Sequence, residues 1–104
     1  MRDIENNYPT PNELNKIKRW NILNDKEILV FLSYIEELWW MPDWGFKLKG
    51  KKVISLELHT GGWSGNEEII SALKSNFMFW GMFWQKSIRG GHYYFKIPMR
   101  YFKK

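Results

Sequence analysis

The chain contains no cysteine, and no apolar run in it approaches the roughly 20 residues that a membrane-spanning helix needs. The lack of cysteine excludes a disulfide framework and a thiolate-bound metal site. Residues 1 to 10 also lack the apolar stretch of a secretory signal. We therefore expect a cytoplasmic protein that does not interact with a membrane.

Aromatic side chains and positive charge are abundant instead, and the charge is unevenly distributed. Aromatic residues make up 18% of the chain, with seven tryptophans, so some aromatic surface should remain after one small core is filled. Residues 1 to 44 carry a net charge of −3, whereas residues 45 to 104 carry +8. The second half is thus expected to meet a polyanion, although lysines that merely keep a sheet edge soluble would produce the same imbalance.

At 104 residues the chain is long enough for one domain and too short for two. Residues 1 to 9 are polar and unpatterned, which predicts a flexible tail. Thr10 and Glu13 have the spacing of a capping box, with proline in the first turn between them. These signals predict a helix from Pro11 to Leu23.

A second helix is predicted from a cap at Asn24-Asp25 to near Trp40, because apolar residues recur there every three or four positions. Pro42 disfavours helical geometry at the residue before it and should end the helix. The short link between the two helices predicts a helical hairpin over residues 10 to 40.

Beyond Trp44 the apolar period changes to two, which predicts strands. The expected fold is α+β: a helical hairpin followed by a ββαββ unit over residues 44 to 99, with a four-stranded antiparallel sheet and one helix packed on a face. The first two strands are expected between residues 44 and 59. A helix should begin at a Ser64/Glu67 capping box and end at Asn76. A strand from Phe77 to Ile88, apolar on both faces, and a strand from His92 to Ile97, after a Gly90-Gly91 turn, should complete the sheet.

A glycine-rich turn precedes the predicted third helix. Backbone N–H groups that converge before a helix start can bind an anion, and the helix dipole favours negative charge there. The spacing matches no known nucleotide-binding loop, and a tight strand-to-helix turn would need the same glycines. The candidate anion-binding turn comprises Gly61, Gly62, Ser64 and Gly65.

The two histidines, His59 and His92, are predicted to lie at the same edge of the sheet, if their strands are both antiparallel to a common neighbour. With Glu57, Thr60 and Arg89 nearby, such a pair could perform acid–base chemistry on a phosphate, which would make the protein a phosphoesterase. Histidines with purely structural hydrogen bonds are the commoner outcome. Two histidines without further ligands make a poor metal site, so we assign no metal, cofactor or catalytic residue from the sequence.

Rings and cations are interleaved along the second half of the chain. On an open sheet face this combination holds single-stranded nucleic acid, because bases stack on rings and phosphates meet cations. The same side chains would be core if the helical hairpin covered that face, and they would also suit a protein interface. The candidate binding residues are Trp63, Trp80, Trp84, Lys86, Arg89, His92, Tyr94 and Lys96.

The segments GGWSGNEEII and FWQKSIRGGHYYF resemble small open reading frames carried by bacteriophages and other bacterial mobile elements. The resemblance implies a small binding protein that acts on a host nucleoprotein. We therefore expect a non-enzymatic protein that contacts nucleic acid or a nucleic-acid-handling protein through its basic, aromatic half. The alternative is a protein–protein inhibitor of a host defence complex, similar in role to antagonists of CRISPR effectors.

Overall fold

A computed structural model describes residues 8–22 and 27–102. Along these ranges three helices are followed by two strands, two further helices and two further strands, and a 3₁₀ turn closes the described chain. The elements are α1 (Pro11–Arg19), α2 (Glu27–Leu38), α3 (Pro42–Gly45), β1 (Phe46–Lys49), β2 (Val53–His59), α4 (Ser64–Ser75), α5 (Phe77–Phe83), β3 (Trp84–Ile88), β4 (His92–Pro98) and the 3₁₀ turn (Met99–Phe102).

Within the described residues, the four strands form one antiparallel sheet in the order β1-β2-β4-β3. The predicted α+β class is therefore confirmed. The two seven-residue strands, β2 and β4, lie at the centre and pair along their whole length, from Val53 opposite Pro98 to His59 opposite His92. The shorter strands, β1 and β3, form the edges.

Alternation along the central strands separates the two faces of the sheet. Leu56 and Leu58 of β2 and Phe95 and Ile97 of β4 are buried, and they belong to one core together with side chains from α1, α2, α4 and α5. Burial of these apolar side chains against the helices is the main contribution to stability. The helices thus cover one face, and the residues between these four point to the other.

The first helix begins as predicted. The Thr10 hydroxyl accepts a hydrogen bond from the Glu13 backbone N–H at 3.2 Å, and the Thr10 N–H donates to the Glu13 carboxylate at 2.8 Å. The helix ends at Arg19, not at Leu23, because Trp20 adopts an extended conformation. Its most extensive helical contact is with α4, whereas it meets α2 through the Trp20 ring, 5.3 Å from that of Phe31.

The second helix ends at Leu38, two residues before the predicted end, and the predicted cap at Asn24-Asp25 lies outside the described residues. The predicted strand start at Trp44 is wrong. Pro42 opens the short helix α3, because a proline in the first turn of a helix loses no hydrogen bond there. Strand β1 consequently begins at Phe46.

The prediction of a strand over Phe77 to Ile88 is wrong for its first seven residues, which form α5. Asn76 caps this helix, since its side-chain oxygen accepts from the Phe79 N–H at 3.1 Å. Phe79 and Phe83, one helical turn apart, are both buried. Only Trp84–Ile88 is a strand, and it is an exposed edge of the sheet.

Asn76 also joins the first helix to the fold, which leads to a stability prediction. Its buried amide nitrogen donates to the carbonyls of Ile17 at 2.9 Å and Trp20 at 3.0 Å. Asn76→Asp retains the capping oxygen but places a second oxygen against two carbonyls. We expect it to lower the free energy of unfolding by about 1–3 kcal/mol, measured by urea denaturation.

The matched control is Asn15→Asp, the same substitution at an exposed position of α1. It should change stability by less than about 0.5 kcal/mol. Equal denaturation midpoints for the two variants would contradict the structural role of the Asn76 amide.

Candidate functional site

The face of the sheet that the helices leave uncovered presents most of the candidate functional side chains. Residues of β2 and β4 that alternate with the core residues point to this face, and strand pairing adds residues of β1 and β3 beside them. None of these side chains is fully buried. We call this surface the open sheet face; it comprises Lys47, Lys49, Val53, Ser55, Glu57, His59, Lys86, Ile88, His92, Tyr94, Lys96 and Pro98.

Four lysines, Lys47, Lys49, Lys86 and Lys96, surround the centre of the open sheet face, and Glu57 is the one acid among them. One row of paired residues across the sheet consists of Lys47, Glu57, Tyr94 and Lys86. The Lys86 ammonium lies 5.0 Å from the centroid of the Tyr94 ring, close enough for a cation–π contact. Glu57 is 3.8 Å from the Lys49 ammonium, a separation at which an exposed ion pair contributes little to stability. The face therefore has a net positive charge with an aromatic ring at its centre.

A pocket of about 280 Å³ lies beside that ring, where β3 departs from regular pairing. The register of β3 against β4 shifts between Trp84 and Lys86, so Gln85 forms an irregularity in the edge strand. The lining residues come from three strands: Ser55, Leu56, Glu57, Gln85, Lys86, Tyr94, Phe95 and Lys96.

The two histidines stand directly opposite each other at one end of this face. The distance from Nδ1 of His59 to Nδ1 of His92 is 2.7 Å, so one of these nitrogens donates a hydrogen bond to the other. The Nε2 atom of His59 lies 3.3 Å from a carboxylate oxygen of Glu57, two residues earlier on the same strand. The two histidines, expected at the same edge of the sheet, lie side by side at one end of the two central strands, with a carboxylate beside them.

Two further rings flank the histidine pair. The centroid of the His59 ring is 6.0 Å from that of Trp44 and 5.9 Å from that of Tyr94. Trp44 is half-exposed and reaches this position because the short helix α3 ends immediately before β1. Sequence reasoning missed Trp44, Lys47 and Lys49, although the alternation of Lys47 and Lys49 with apolar residues could have placed both lysines on the open sheet face.

The structure brings together four of the eight predicted binding residues: Lys86, His92, Tyr94 and Lys96. Trp80 and Trp84 lie elsewhere, stacked on each other at 5.9 Å, with the Trp80 ring edge-on to the core residue Phe95. Trp63 packs against Trp40 and Tyr8 at the start of α4. Arg89 is exposed in the turn between β3 and β4.

Two backbone N–H groups of the predicted anion-binding turn donate within the turn itself. The Gly62 N–H donates to the Thr60 hydroxyl at 3.3 Å, and the Trp63 N–H donates to the Thr60 carbonyl at 3.1 Å. Gly61 and Gly62 have positive φ, which favours glycine, whereas Gly65 lies within α4. These bonds and angles form a tight strand-to-helix turn.

The predicted capping box at Ser64 is wrong. Trp63 occupies the N-cap position without a side-chain hydrogen bond, and the Glu67 carboxylate accepts from the Thr60 hydroxyl at 3.4 Å. The Ser64 hydroxyl instead pairs with that of Tyr8 at 2.8 Å. The predicted flexible tail lies outside the described residues except for Tyr8 and Pro9, which is buried.

Comparison of the chain with protein-family models, curated proteins and solved structures found no match. In the described ranges no helix is long and apolar enough to cross a membrane. Over the same residues, no group of three or more potential ligands is arranged to hold a metal ion. The fold and the site therefore define a small α+β domain with one covered and one open, cationic sheet face.

The turn beneath the histidines gives a second stability prediction. Gly91 has φ +87°, its carbonyl accepts from the Thr60 N–H at 2.9 Å, and an added Cβ would overlap the Thr60 hydroxyl. Gly62 has a similar φ of +75° but open space around it. We expect Gly62→Ala to lower the free energy of unfolding by about 1 kcal/mol, through backbone strain alone. Gly91→Ala should lower it by at least twice as much, and the melting temperatures should fall in the same order.

The comparison of these two variants isolates the steric contact with Thr60, because both glycines have a similar positive φ and an alanine would be strained at either position. Melting curves followed by circular dichroism would measure it. Equal losses for both variants would mean that the Thr60–Gly91 contact does not constrain the histidine end of the sheet.

Proposed function

We propose that this protein binds single-stranded nucleic acid in the cytoplasm through the open sheet face. One observation carries the proposal: Lys47, Lys49, Lys86 and Lys96 surround the ring of Tyr94 on a face that no described helix covers. Lysines at this density attract a phosphate backbone, and a partly exposed ring provides a surface for a base.

The arrangement suits a single strand better than a duplex. A base can stack on a ring only when it is unpaired, and the rings of Tyr94, His59 and Trp44 follow one another across the face at about 6 Å centroid spacing. Lysines lie on the strands on both sides of this row, where the phosphates of a strand crossing the sheet would pass. Stacking on rings tolerates any base, so the expected sequence preference is weak.

A second candidate function is inhibition of a host defence complex by protein–protein contact. The outer face of α5 favours it, because Phe77 is 84% exposed and Met78 and Met82 are exposed beside it. Exposed aromatic and methionine side chains are typical of protein interfaces. The resemblance of GGWSGNEEII to mobile-element proteins is compatible with both functions.

Charge reversal on the open sheet face tests nucleic-acid binding. Lys86→Glu with Lys96→Glu should weaken binding of a fluorescent single-stranded oligonucleotide by about tenfold or more near 0.1 M salt. If both lysines contact phosphates, the slope of log Kd against log salt should fall by about 1.4, because each contact contributes about 0.7 for a single strand. Fluorescence anisotropy across a salt series would measure both effects.

The control is Lys18→Glu with Arg19→Glu, which makes the same change in net charge on the exposed side of α1. Only the first pair should lose the salt-dependent binding. Equal weakening in both variants would indicate attraction to net charge alone, and wild-type binding that hardly depends on salt would favour the protein–protein function.

Tyr94 should contribute by stacking, which makes a separate prediction. Tyr94→Leu should cost about 1–3 kcal/mol of binding free energy, because one stacked base loses its ring. Tyr94→Phe retains the ring and should bind nearly as well as the wild type. Loss of affinity in Tyr94→Phe equal to that in Tyr94→Leu would assign the effect to the hydroxyl and not to stacking.

A further inference from the structure

Glu57, His59 and His92 form a continuous chain of hydrogen bonds across the central strands. The carboxylate of Glu57 meets Nε2 of His59 at 3.3 Å, and Nδ1 of His59 meets Nδ1 of His92 at 2.7 Å. Nε2 of His92 ends the chain. This nitrogen has no hydrogen-bond partner among residues 8–22 and 27–102. It is not among the buried, unpaired side-chain atoms of those ranges, so it is not fully buried. The glycine at position 90 leaves space beside this nitrogen, since an added Cβ would come within 3.4 Å of it.

The order of these contacts determines where the protons lie. A carboxylate only accepts hydrogen bonds, so Nε2 of His59 must carry the proton of that contact. In a neutral imidazole the other nitrogen is then an acceptor, and Nδ1 of His92 must donate to it. Nε2 of His92 is therefore left with a lone pair that points away from the chain, at the end of the open sheet face.

We propose that His92 is a general base that cleaves bound single-stranded RNA, with Glu57 and His59 as positioning residues that hold its tautomer. This inference rests on the proposed function, because the open sheet face must first bind the strand. A carboxylate that orients an imidazole is the arrangement by which enzymes hold a base in the reactive tautomer. Here a second imidazole lies between the carboxylate and the base.

The reaction needs no component beyond RNA and water. Nε2 of His92 takes the proton of a ribose 2′-hydroxyl, and the 2′-oxygen forms a bond to the adjacent phosphorus. The bond from phosphorus to the 5′-oxygen breaks, the leaving oxygen takes a proton from water, and His92 returns its proton to solvent. The products are a strand ending in a 2′,3′-cyclic phosphate and a strand with a free 5′-hydroxyl.

Cations near His92 can stabilise the charge that develops on the phosphate. Arg89 is exposed in the turn that leads directly to His92, and Lys86 and Lys96 lie on the same face. Fixed positive charges at a developing oxyanion lower the barrier because they do not reorganise during the reaction. DNA lacks the 2′-hydroxyl, so it should bind to this face without being cleaved.

The test uses the full chain with a short single-stranded RNA and the DNA of the same sequence. The wild type should cleave the RNA to a 2′,3′-cyclic phosphate product, detected by mass spectrometry, and should leave the DNA intact. His92→Ala should reduce the cleavage rate by about 100-fold or more, the usual contribution of a general base, and should change the Kd for the uncleaved DNA by far less, because the lysines and Tyr94 of the open sheet face remain. Cleavage that persists in His92→Ala, or cleavage of the DNA, would overturn the proposal.

This experiment distinguishes a failure of cleavage from a failure of binding. If the wild type binds both strands and cleaves neither, the base assignment is wrong and nucleic-acid binding stands. If neither strand binds, the proposed function itself is wrong, and this inference falls with it.

A spectroscopic measurement tests the positioning residues without any substrate. In ¹⁵N-labelled protein, the imidazole shifts should show a proton on Nδ1 and none on Nε2 of His92. Glu57→Gln should disturb this tautomer and lower the cleavage rate by about tenfold or more, although the loss of a negative charge from the open sheet face should not weaken binding of the DNA strand. A proton on Nε2 of His92 in the wild type, or full activity in Glu57→Gln, would overturn the role of the chain.

Discussion

The pairing of β2 with β4 is the constraint on which the rest of the structure depends. Side chains alternate along a strand, so a shift of one residue in this register would turn every residue of one strand to the opposite face. The observed register places Leu58 opposite Tyr93 on the covered face and His59 opposite His92 at the open end. A single register thus positions both the core and the candidate site.

Two buried amides connect segments that are distant along the chain. Asn66 accepts from the Trp40 N–H at 2.9 Å and donates to the carbonyls of Trp40 at 3.1 Å and Thr60 at 3.3 Å. Asn76 performs the same role between α1 and α5. A buried amide must satisfy its donors and acceptor, so each of these residues allows few alternative arrangements of its neighbours. The residue after His59 is held in this way, and the histidine pair accordingly rests on a rigid support.

The uneven charge of the chain acquires a spatial meaning in this fold. The acidic first part of the sequence supplies α1, α2 and α3, whereas the basic second part supplies every strand. The helices bury one face of the sheet, so the lysines of the strands are concentrated on the other face. This separation supports an anionic partner, and the rings among the lysines support a partner with unpaired bases. The exposed apolar face of α5 lies outside that surface and belongs to the second candidate function.

Local signals in the sequence determined the start of α1, the alternation of β2 and β4 and the class of the fold. Each depends on neighbouring residues or on a strand period that can be read directly, as the Thr10 and Glu13 pair shows. The apolar run from Phe77 to Phe83 predicts a strand but forms a helix, because a short apolar stretch has no period that distinguishes the two. Only the tertiary structure decided that outcome, because the helix buries Phe79 and Phe83 in the common core. The tertiary structure also placed Lys47 and Glu57 in one row with Tyr94 across the sheet. Those contacts depend on which strands become neighbours, and strand order is set by burial over the whole chain, which no local pattern contains.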